Sequence, residues 1–495
     1  MSMKYQNHIH GEWVDALSGE TFENRNPANW NEVVGTFPDS AKPDVEAAVK
    51  SAREAFDKWR LTPAPARGDI LRRVGDIMAE RKEEIAKNMT REMGKVLDET
   101  RGDVQEGIDT AYYAATEGRR MFGHTVPSEL PNKFNMSIRL PIGVAGIITP
   151  WNFPMAIPTW KIFPALVCGN CVVFKPASDT PLTAATFVEI LLEAGVPPKV
   201  LNLVHGGGNG VGIPLVTHPD VNLISFTGST GVGKSISKSA SETLKRVSLE
   251  LGGKNAQIVM DDGDLDLALE GVLWGAFGTT GQRCTATSRL ILHEKIHDQF
   301  MGMLVSAAQK LKLGDGLKPE SQVGPLINED QQKTVQEYVE IGKSEGAKLV
   351  TGGNVYSEGD CAKGWFHEPT IFSEVTPEMR IAKEEIFGPV LSVLRVGSYE
   401  EAVKVLNNSP YGLSSSIYTN DVNRGFQAMR DIEAGITYIN GPTIGAEAHM
   451  PFGGVKETGN GHREGGWEVY EFYTETKTVF VDYSGKLQRA QIDNY

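Results

Sequence analysis

The chain has 495 residues, of which 40% are hydrophobic and 23% charged, the composition of a globular protein large enough for two domains. Its formal net charge of −14 argues against a nucleic-acid partner, because phosphate backbones bind clusters of Lys and Arg. No apolar run reaches the roughly 20 residues that cross a membrane, and residues 1–15 lack the pattern of a signal peptide. Four cysteines are too few for a disulfide scaffold, so we expect a cytoplasmic protein.

Helical and strand patterns alternate along the first half of the chain. Apolar residues at helical spacing predict helices over residues 44–59 and 67–93. Further along, the pattern predicts strands over 143–149, 171–174, 200–204 and 223–226, with a helix over 182–194. Strand, helix and strand in this order are typical of the parallel sheet that binds dinucleotides.

A second lobe is predicted after about residue 255, where the alternation restarts. Residues 257–260 and 288–292 are predicted strands, and residues 265–277 are a predicted helix. The segment 474–482 alternates like a strand, but no helix follows it. This is typical of an edge strand, which either pairs with the sheet of another subunit or closes its own domain. We therefore predict an α/β fold.

The segment 228–235 reads GSTGVGKS and fits the GxxxxGK[ST] pattern of a phosphate-binding P-loop. A hydrophobic strand that ends in Asp261 offers the metal-binding partner that such a site requires. Whichever phosphate is bound, glycines let backbone amides approach it, and a helix N-terminus favours its negative charge. From the pattern alone, a P-loop NTPase and a dinucleotide-binding protein both stay open.

The cysteines differ in their sequence context. Cys284 follows a glycine turn in GQRCTA, a position suited to an exposed thiolate, although a lone cysteine is more often a small buried residue. Cys168 and Cys171 have the CxxC spacing of redox or metal sites. They lie in an apolar segment without a second cysteine pair, so we interpret them as packing residues.

Two further side chains have polar chemistry near glycine or proline. Glu250 precedes two glycines in ELGGK and either faces a cavity or is a surface carboxylate. Asn152 lies between two prolines in PWNFP, where its amide either donates to a developing oxyanion or serves the turn. Each motif alone is a weak signal.

Together, the motifs TPWNFP, FKPAS, FTGST, LELGGKN, GQRCTA, EEIFGP and PFGG resemble the aldehyde dehydrogenase superfamily, from about residue 13 to residue 481. The separation of Glu250 and Cys284, 284 − 250 = 34 residues, also agrees with that family. In the family, GSTGVGK is itself the cofactor turn, which disfavours the P-loop interpretation.

The resemblance implies three structural parts. A Rossmann-like dinucleotide-binding domain would comprise residues 1–121 and 141–255, and a second α/β catalytic domain residues 256–469. Residues 122–140 and 470–495 would form a small β arm that is exchanged between subunits of a homodimer or homotetramer.

The resemblance also implies the reaction, an aldehyde oxidised to a carboxylic acid. Cys284 would attack the aldehyde to give a thiohemiacetal. Asn152 and the Cys284 backbone amide would stabilise the oxyanion. Glu250 would activate the water that hydrolyses the resulting thioester. No metal is implied.

The implied cofactor is NADP or NAD. By resemblance, its binding residues are Trp151, Lys175, Ser178, Gly208, Gly212, Gly228, Ser229, Gly233, Glu385 and Phe387. Relatives that use only NAD tend to carry Glu at the position of Ser178. A carboxylate there repels a 2′-phosphate, whereas Ser tolerates it and Lys175 can pair with it, so we expect NADP to be accepted.

The implied substrate tunnel is aromatic, and Phe153, Ile157, Trp160 and Phe452 match its lining positions. Arg283, immediately before the nucleophile, resembles the branch that oxidises acidic semialdehydes of the 2-oxoglutarate or aminoadipate type. Its guanidinium could bind the distal carboxylate, or it could instead pair with a surface acid. A broad-specificity aliphatic and aromatic aldehyde dehydrogenase is the alternative.

Overall fold

The computed structural model describes residues 3–493, and the first 250 residues alternate between strands and helices as predicted. In chain order the elements are β1 (Asn7–Ile9), β2 (Glu12–Val14), β3 (Thr21–Asn26), β4 (Asn29–Pro38), α1 (Lys42–Trp59), α2 (Ala64–Glu80), α3 (Lys82–Met93), α4 (Leu97–Glu117), β5 (Thr125–Pro127), β6 (Lys133–Pro141), β7 (Val144–Ile148), α5 (Ala156–Cys168), β8 (Cys171–Lys175), α6 (Pro181–Glu193), β9 (Leu201–Leu203), α7 (Ile213–Thr217), β10 (Leu223–Thr227), α8 (Thr230–Ser241) and β11 (Arg246–Glu250). A single π-helical turn, Gly208–Gly212, precedes α7.

The second part of the chain repeats the alternation around another sheet. Its elements are β12 (Asn255–Val259), α9 (Leu265–Phe277), β13 (Thr287–His293), α10 (His297–Ala308), α11 (Glu329–Ser344), β14 (Lys348–Thr351), β15 (Thr370–Ser373), α12 (Arg380–Lys383), β16 (Val390–Val396), α13 (Tyr399–Asn407), β17 (Tyr411–Gly412), β18 (Ser414–Tyr418), α14 (Val422–Asp431), β19 (Ile436–Ile439), β20 (Val455–Lys456), α15 (Val469–Phe472) and β21 (Thr474–Asp482). Short 3₁₀ turns lie at Gly278–Gly281 and Gly359–Lys363.

The first large sheet has the strand order β11-β10-β7-β8-β9-β1-β2. Its five strands from β11 to β9 are parallel, and β1 and β2 extend it in antiparallel fashion. The chain winds outward from β7 in both directions, so a topological switch point lies between β7 and β10. Ligands of such sheets bind at the carboxyl ends of the strands beside this point. The predicted dinucleotide-type topology is confirmed.

The second large sheet has the order β14-β15-β16-β13-β12-β18-β19 and is parallel except at β14. Leu290 and Leu292 of β13 pack into one core cluster, and Ile291 between them packs into another. Both faces of this sheet are therefore covered, which explains why its central strands read as continuous apolar runs. The α/β fold class predicted from the sequence is confirmed by this architecture.

A small antiparallel sheet, in the order β21-β6-β5, makes up the arm. The predicted late strand pairs along its whole length with β6 of the same chain, from Thr474 opposite Pro141 to Asp482 opposite Lys133. The other edge of β21 has no strand partner among residues 3–493. Phe480 and Ile138 on this sheet are exposed. The strand thus joins its own chain and still leaves an open edge.

Two expectations differ in their outcome. The helical pattern over 67–93 forms two helices rather than one, because the backbone leaves helical geometry at Arg81 (φ −97°, ψ 8°). Cys168 and Cys171 are buried free cysteines, and burial raises the pKa of each thiol to about 12, which confirms the packing interpretation.

In the part of the chain that the structure describes, no helix is both long and apolar enough to cross a bilayer.

Candidate active site

Cys284 follows a strained turn at the end of α9. Thr279 and Thr280 both have left-handed backbone angles (φ 51° and 57°), which are costly for β-branched residues. The backbone N–H of Thr279 donates to both carboxylate oxygens of Glu99, at 2.8 and 3.0 Å. At Gly281 (φ 69°) a Cβ would lie 2.2 Å from the carbonyl oxygen of Gly388. The surrounding structure therefore dictates the path of the chain into Cys284.

The peptide groups after the cysteine are also fixed. The side-chain amide of Asn255 donates to the carbonyls of Cys284 (2.7 Å) and Ala286 (3.0 Å). The hydroxyl of Thr443 donates to the carbonyl of Thr285 at 2.7 Å. Sequence reasoning missed Asn255, although it lies within the LELGGKN motif. The available signal was that Asn255, a polar residue, lies two positions after the glycine pair of that motif.

The thiol of Cys284 is protonated at neutral pH. Burial, followed by the charges of Glu385 and Glu250, raises its pKa to about 12. Backbone N–H groups of Thr285 and Cys284 act in the opposite direction, with smaller effect. The sequence left an exposed thiolate and a small buried residue open; the structure half-buries Cys284 beside carboxyl groups, where the neutral thiol is favoured.

Asn152 lies beside Cys284, in the turn after β7. Its side chain is buried, and both residues line one cavity of about 230 Å³. The Asn152 Nδ2 atom donates to the carbonyl of Gln282 at 3.1 Å. The Gln282 amide in turn bonds to the carbonyls of Thr279 and Pro325. The structure therefore couples the orientation of Asn152 to the cysteine loop.

The cavity of Cys284 continues toward the switch point of the first sheet. A second cavity, of about 520 Å³, shares Trp151 and Gly228 with it. The second cavity is lined by most of the predicted adenosine-side residues, namely Lys175, Gly208 and Gly212. Ser229, Glu385 and Phe387 line the first cavity. Together the two form one elongated groove at the carboxyl ends of β7 and β10, which is where this topology binds ligands.

The residues of this groove fit a dinucleotide. Helix α8 begins at the groove, and the side chain of its N-cap residue Ser229 makes no capping bond, so the first N–H groups of the helix are available to an anion. At Gly233, in contrast, a Cβ would lie 2.4 Å from Leu251. Glycine at 233 thus permits close packing of the helix, whereas open space at Gly231 and Gly208 faces the groove.

Lys175 and Ser178 differ in their access to the groove. Lys175 is buried and its Nζ donates to the carbonyl of Pro176 at 2.6 Å. Burial lowers the pKa of Lys175 to about 8, and the nearby Asp179 opposes that effect. The Ser178 hydroxyl donates to the carbonyl of Gly206 at 3.4 Å and does not line the groove. The structure therefore brings Lys175, but not Ser178, to the cavity wall.

Glu385 and Phe387 approach the cysteine from the loop after α12. The Glu385 Oε1 atom accepts the N–H of Gly253 at 3.0 Å. Phe387 has a left-handed backbone (φ 57°) and its ring meets Trp151 edge-on at 5.4 Å. Gln331, which sequence reasoning missed, donates to the carbonyls of Ile386 and Phe387 at 2.9 and 3.0 Å. This pair of bonds holds the strained turn.

Glu250, at the end of β11, is buried, and neither carboxylate oxygen has a hydrogen-bond partner in the described chain. Burial first, and then the charge of Glu464, raise its pKa well above the ordinary value, while Lys161 and Arg463 oppose this. In this conformation the carboxyl approaches Gly453 and does not line the cavity of Cys284. A rotation of the Glu250 side chain toward the cysteine would therefore break no hydrogen bond within residues 3–493.

A buried ion pair lies behind Glu250. The Lys161 Nζ and Glu464 Oε1 atoms are 2.6 Å apart, and both side chains are almost fully buried. Lys161 also donates to the hydroxyl of Ser225 at 2.9 Å. Sequence reasoning missed both charged residues. A lysine within the otherwise apolar helix α5 was a usable signal, because such a charge requires a partner.

Another cavity, of about 700 Å³, opens on the other side of the cysteine loop and contains Arg283, Phe153 and Trp274 in its wall. The Arg283 Nη2 atom lies 3.0 Å from Glu99, and its Nε donates to the Thr279 hydroxyl at 2.9 Å. Arg283 therefore pairs with an acid, but not with the surface acid of the predicted alternative, because the Glu99 side chain is only 12% exposed and lines the same cavity. The side chain is nevertheless only 10% exposed and faces the cavity rather than open solvent.

The other predicted substrate residues lie away from this cavity. Trp160 and Phe452 pack against each other with ring centroids 4.8 Å apart, and Ile157 is buried. None of the three lines the 700 Å³ cavity, whereas Phe153 does. Six carboxyl side chains also line that cavity: Asp98, Glu99, Asp103, Glu106, Asp109 and Glu447.

The P-loop alternative does not fit the structure. Lys234 points to the surface and pairs with Glu457 at 2.8 Å, instead of turning back over the glycine turn. Asp261 follows a strand of the other sheet, where Lys295 and Arg424 neutralise it at 2.9 and 3.0 Å. Within residues 3–493 there is no cluster of side chains suited to a metal ion.

Comparison with known proteins agrees with this geometry. Residues 13–479 match the model of the aldehyde dehydrogenase family. The chain is 44% identical to the alpha-ketoglutaric semialdehyde dehydrogenase of Bacillus subtilis (strain 168), over 96% of this chain and 98% of that protein. It is also 44% identical to the alpha-ketoglutarate semialdehyde dehydrogenase of Haloferax volcanii, over 97% of this chain and 99% of the relative.

The fold matches solved structures equally well. The crystal structure of betaine aldehyde dehydrogenase from Staphylococcus aureus in complex with NAD⁺ has a TM-score of 0.95 and 34% identity, and the match covers 98% of this chain and 96% of that one. The protein belongs to the aldehyde dehydrogenase family, and the resemblance predicted from its motifs is confirmed. It is an oxidoreductase that acts on an aldehyde.

Proposed function

We propose that this enzyme oxidises an acidic semialdehyde, of the 2-oxoglutarate or aminoadipate type, to the dicarboxylic acid. The observation that carries the proposal is Arg283, which immediately precedes the proposed nucleophile and lines the 700 Å³ cavity. Its Nη1 atom makes no hydrogen bond within residues 3–493, so one edge of the guanidinium is available to a carboxylate. The names of the two 44% identical relatives support the same substrate class.

Catalysis is proposed to begin at Cys284. Its sulfur attacks the aldehyde carbon, and the oxygen becomes an alkoxide. The Asn152 side-chain amide and the Cys284 N–H donate to that oxygen, where fixed donors replace water that would have to reorient. Because the resting thiol is neutral, its proton must leave during the attack, and Glu250 is the proposed acceptor.

The second half of the reaction follows from the thiohemiacetal. When bound, the nicotinamide dinucleotide accepts the hydride that leaves the substrate carbon. The carbon then remains on Cys284 as a thioester. After Glu250 has passed the thiol proton to solvent, it deprotonates a water that attacks this thioester. The C–S bond breaks, the proton on Glu250 returns to the sulfur, and the carboxylic acid and the free thiol are released. Burial raises the pKa of Glu250, which makes its carboxylate a stronger base toward the thiol and the attacking water.

The cofactor groove is proposed to bind NAD or NADP. Trp151, Lys175, Gly208, Gly212, Gly228, Ser229, Glu385 and Phe387 would line it, and Gly233 would let α8 pack closely. Acceptance of NADP rests on Ser178, a small neutral residue three positions after Lys175.

The domain boundaries also remain proposals: residues 1–121 with 141–255, residues 256–469, and residues 122–140 with 470–495. A cytoplasmic location is likewise a proposal.

A homodimer or homotetramer is proposed from the arm. β21 has a free edge, and exposed apolar residues such as Phe480 and Val481 lie on it. β19 is likewise one of the two edge strands of the second large sheet and has no further strand partner among residues 3–493. Pairing of an arm edge with the sheet edge of another copy would satisfy both rows of backbone groups. Size-exclusion chromatography with light scattering would give the mass of the assembly.

The substrate proposal is tested with Arg283→Met and two aldehydes of equal length, 2-oxoglutarate semialdehyde and pentanal. We expect KM for the acidic aldehyde to rise about 10- to 100-fold, the value of a charge-assisted hydrogen bond, and pentanal to change little. Arg91→Met, which breaks the Arg91–Glu32 pair away from the cavity, is the control. An equal effect of Arg283→Met on both aldehydes would overturn the proposal.

A second candidate, a broad-specificity aldehyde dehydrogenase, is favoured by a specific observation. Six carboxyl side chains line the large cavity, and the negative field of those that are ionised opposes the entry of an anion. Under this candidate the wild-type enzyme would oxidise pentanal with a kcat/KM equal to or greater than that for the acidic semialdehyde.

A further inference from the structure

Lys254 is a buried cation that none of the roles above uses. It lies in the link between β11 and β12, its side chain is almost fully buried, and its Nζ has no hydrogen-bond partner within residues 3–493. An unpaired ammonium in the protein interior is costly, so its neighbours must supply a compensating charge or it must lose its proton.

Three charged groups face Lys254. Arg289 of β13 donates from Nε and Nη2 to the Lys254 carbonyl, at 3.0 and 2.7 Å. Glu384 is already neutralised, because Arg380 lies 2.8 Å from it and Tyr338 donates to it at 2.7 Å. That leaves Glu385, which within residues 3–493 makes no ion pair and accepts only the N–H of Gly253. Glu385 is therefore the one carboxyl among these groups whose charge Lys254 can balance.

The electrostatics of the two residues are reciprocal. Burial and then Arg289 lower the pKa of Lys254, whereas Glu385 and then Glu384 raise it. Burial raises the pKa of Glu385 to about 7, and the Gly253 N–H and Lys254 lower it. Without its partner, each group would be neutral over a wider pH range.

We propose that Lys254 is a positioning residue that acts through Glu385: its ammonium keeps that carboxyl ionised, and so an acceptor of hydrogen bonds, at the wall of the cofactor cavity. The cavity is shared with Cys284, so the charge on Glu385 has a second effect. It is the larger of the two carboxylate charges that hold the Cys284 thiol protonated. Lys254 thus favours cofactor binding and, at the same time, a less reactive thiol in the free enzyme.

Loss of Lys254 should weaken cofactor binding but make the Cys284 thiol more reactive, and this combination makes the proposal testable. In Lys254→Met, Glu385 should be protonated near neutral pH. The Kd for the dinucleotide should rise about tenfold, as expected for loss of a charge-assisted hydrogen bond. Alkylation of Cys284 by iodoacetamide in the free enzyme should become several-fold faster at pH 7.5, because one nearby negative charge is lost. A merely structural lesion would not make the thiol more reactive and the cofactor weaker at once.

Glu385→Gln provides the matched comparison. It should show the same faster alkylation, and Lys254→Met added to Glu385→Gln should change neither readout further. Lys254→Gln is made in parallel, because it keeps a polar terminus in the buried position if the methionine variant does not fold. Lys456→Met, which removes a lysine paired with Glu433 outside the site, is the control and should alter neither value.

Two results would overturn the proposal. One is an alkylation rate that is unchanged or slower in the folded Lys254 variants. The other is a full additional effect of Lys254→Met in the Glu385→Gln background. The binding readout rests on the proposed cofactor role of Glu385, but the alkylation readout does not. Faster alkylation without weaker binding would therefore reject the cofactor role of Glu385 and the binding half of the proposal, and leave the charge pair intact.

Discussion

The two sides of Cys284 are built in different ways. The proposed cofactor side is made largely of backbone: a switch point, a helix N-terminus and glycines with open space at Gly208 and Gly231. The proposed substrate side is made of side chains on α4, on α9 and on loops, including Arg283 and its partner Glu99. A backbone site binds the part of the ligand that is common to a family, whereas a side-chain site can change with single substitutions.

The largest effect is expected where the two sides meet, at Asn152. Asn152→Ala removes one proposed donor to the alkoxide and should lower kcat about 10²- to 10³-fold. Dinucleotide Kd should stay within twofold, because the proposed contacts to the cofactor come from other residues. Stopped-flow measurement of the first turnover checks this expectation. An unchanged kcat with a raised KM would assign Asn152 to substrate binding instead.

A slightly smaller effect, on the alkylation rate of Cys284, is expected from a change of pH alone. The Cys284 pKa is raised to about 12, so the thiolate fraction of the free enzyme should increase about tenfold per pH unit below that value. Alkylation by iodoacetamide should therefore be about 100-fold faster at pH 9 than at pH 7. Mass spectrometry of the modified peptide identifies the site. A plateau between pH 7 and 9 would show that the thiol is already ionised there.

The contrast between the two sides also explains what could be predicted from the sequence. The glycine-rich turn at Gly228 lies between a strand and a helix, as predicted, because the pattern of that turn is local. The helix over 265–277 and the strand over 474–482 were predicted with their observed ends. These features depend on local spacing, so a single sequence contains enough information about them.

Other features depend on contacts between distant segments. Glu99 and Arg283 are 184 positions apart, and no local pattern links them. The same holds for Lys161 and Glu464, which are separated by 303 positions. The raised pKa of the Cys284 thiol also could not be read from GQRCTA, because burial and the charge of Glu385 cause it. Each of these properties arises only when the two sheets come together.

A substitution at Ser178 tests the proposed acceptance of NADP on the cofactor side. Ser178→Glu should lower kcat/KM for NADP about tenfold or more relative to NAD, because a carboxylate repels the 2′-phosphate. The initial rate with each cofactor at a fixed aldehyde concentration measures the ratio. Ser178→Gln, of equal length without the charge, is the control. Since Ser178 does not line the groove itself, an unchanged ratio would mean that the ribose lies out of its reach.

The smallest effect is expected on the substrate side, at Glu99. Its carboxylate has two tasks, because it accepts the Thr279 N–H of the strained turn and also balances the charge of Arg283. Glu99→Gln keeps an acceptor for the N–H but removes the charge, so the turn should persist while the guanidinium gains free positive charge. KM for an acidic semialdehyde should fall by about threefold, within the range for a partly exposed ion pair, and KM for pentanal should stay the same. Glu99→Ala should instead lower kcat for both aldehydes, because the left-handed turn before Cys284 loses its acceptor. A fall in KM for both aldehydes in Glu99→Gln would show that the pair with Glu99 controls access to the cavity rather than recognition of the distal carboxylate.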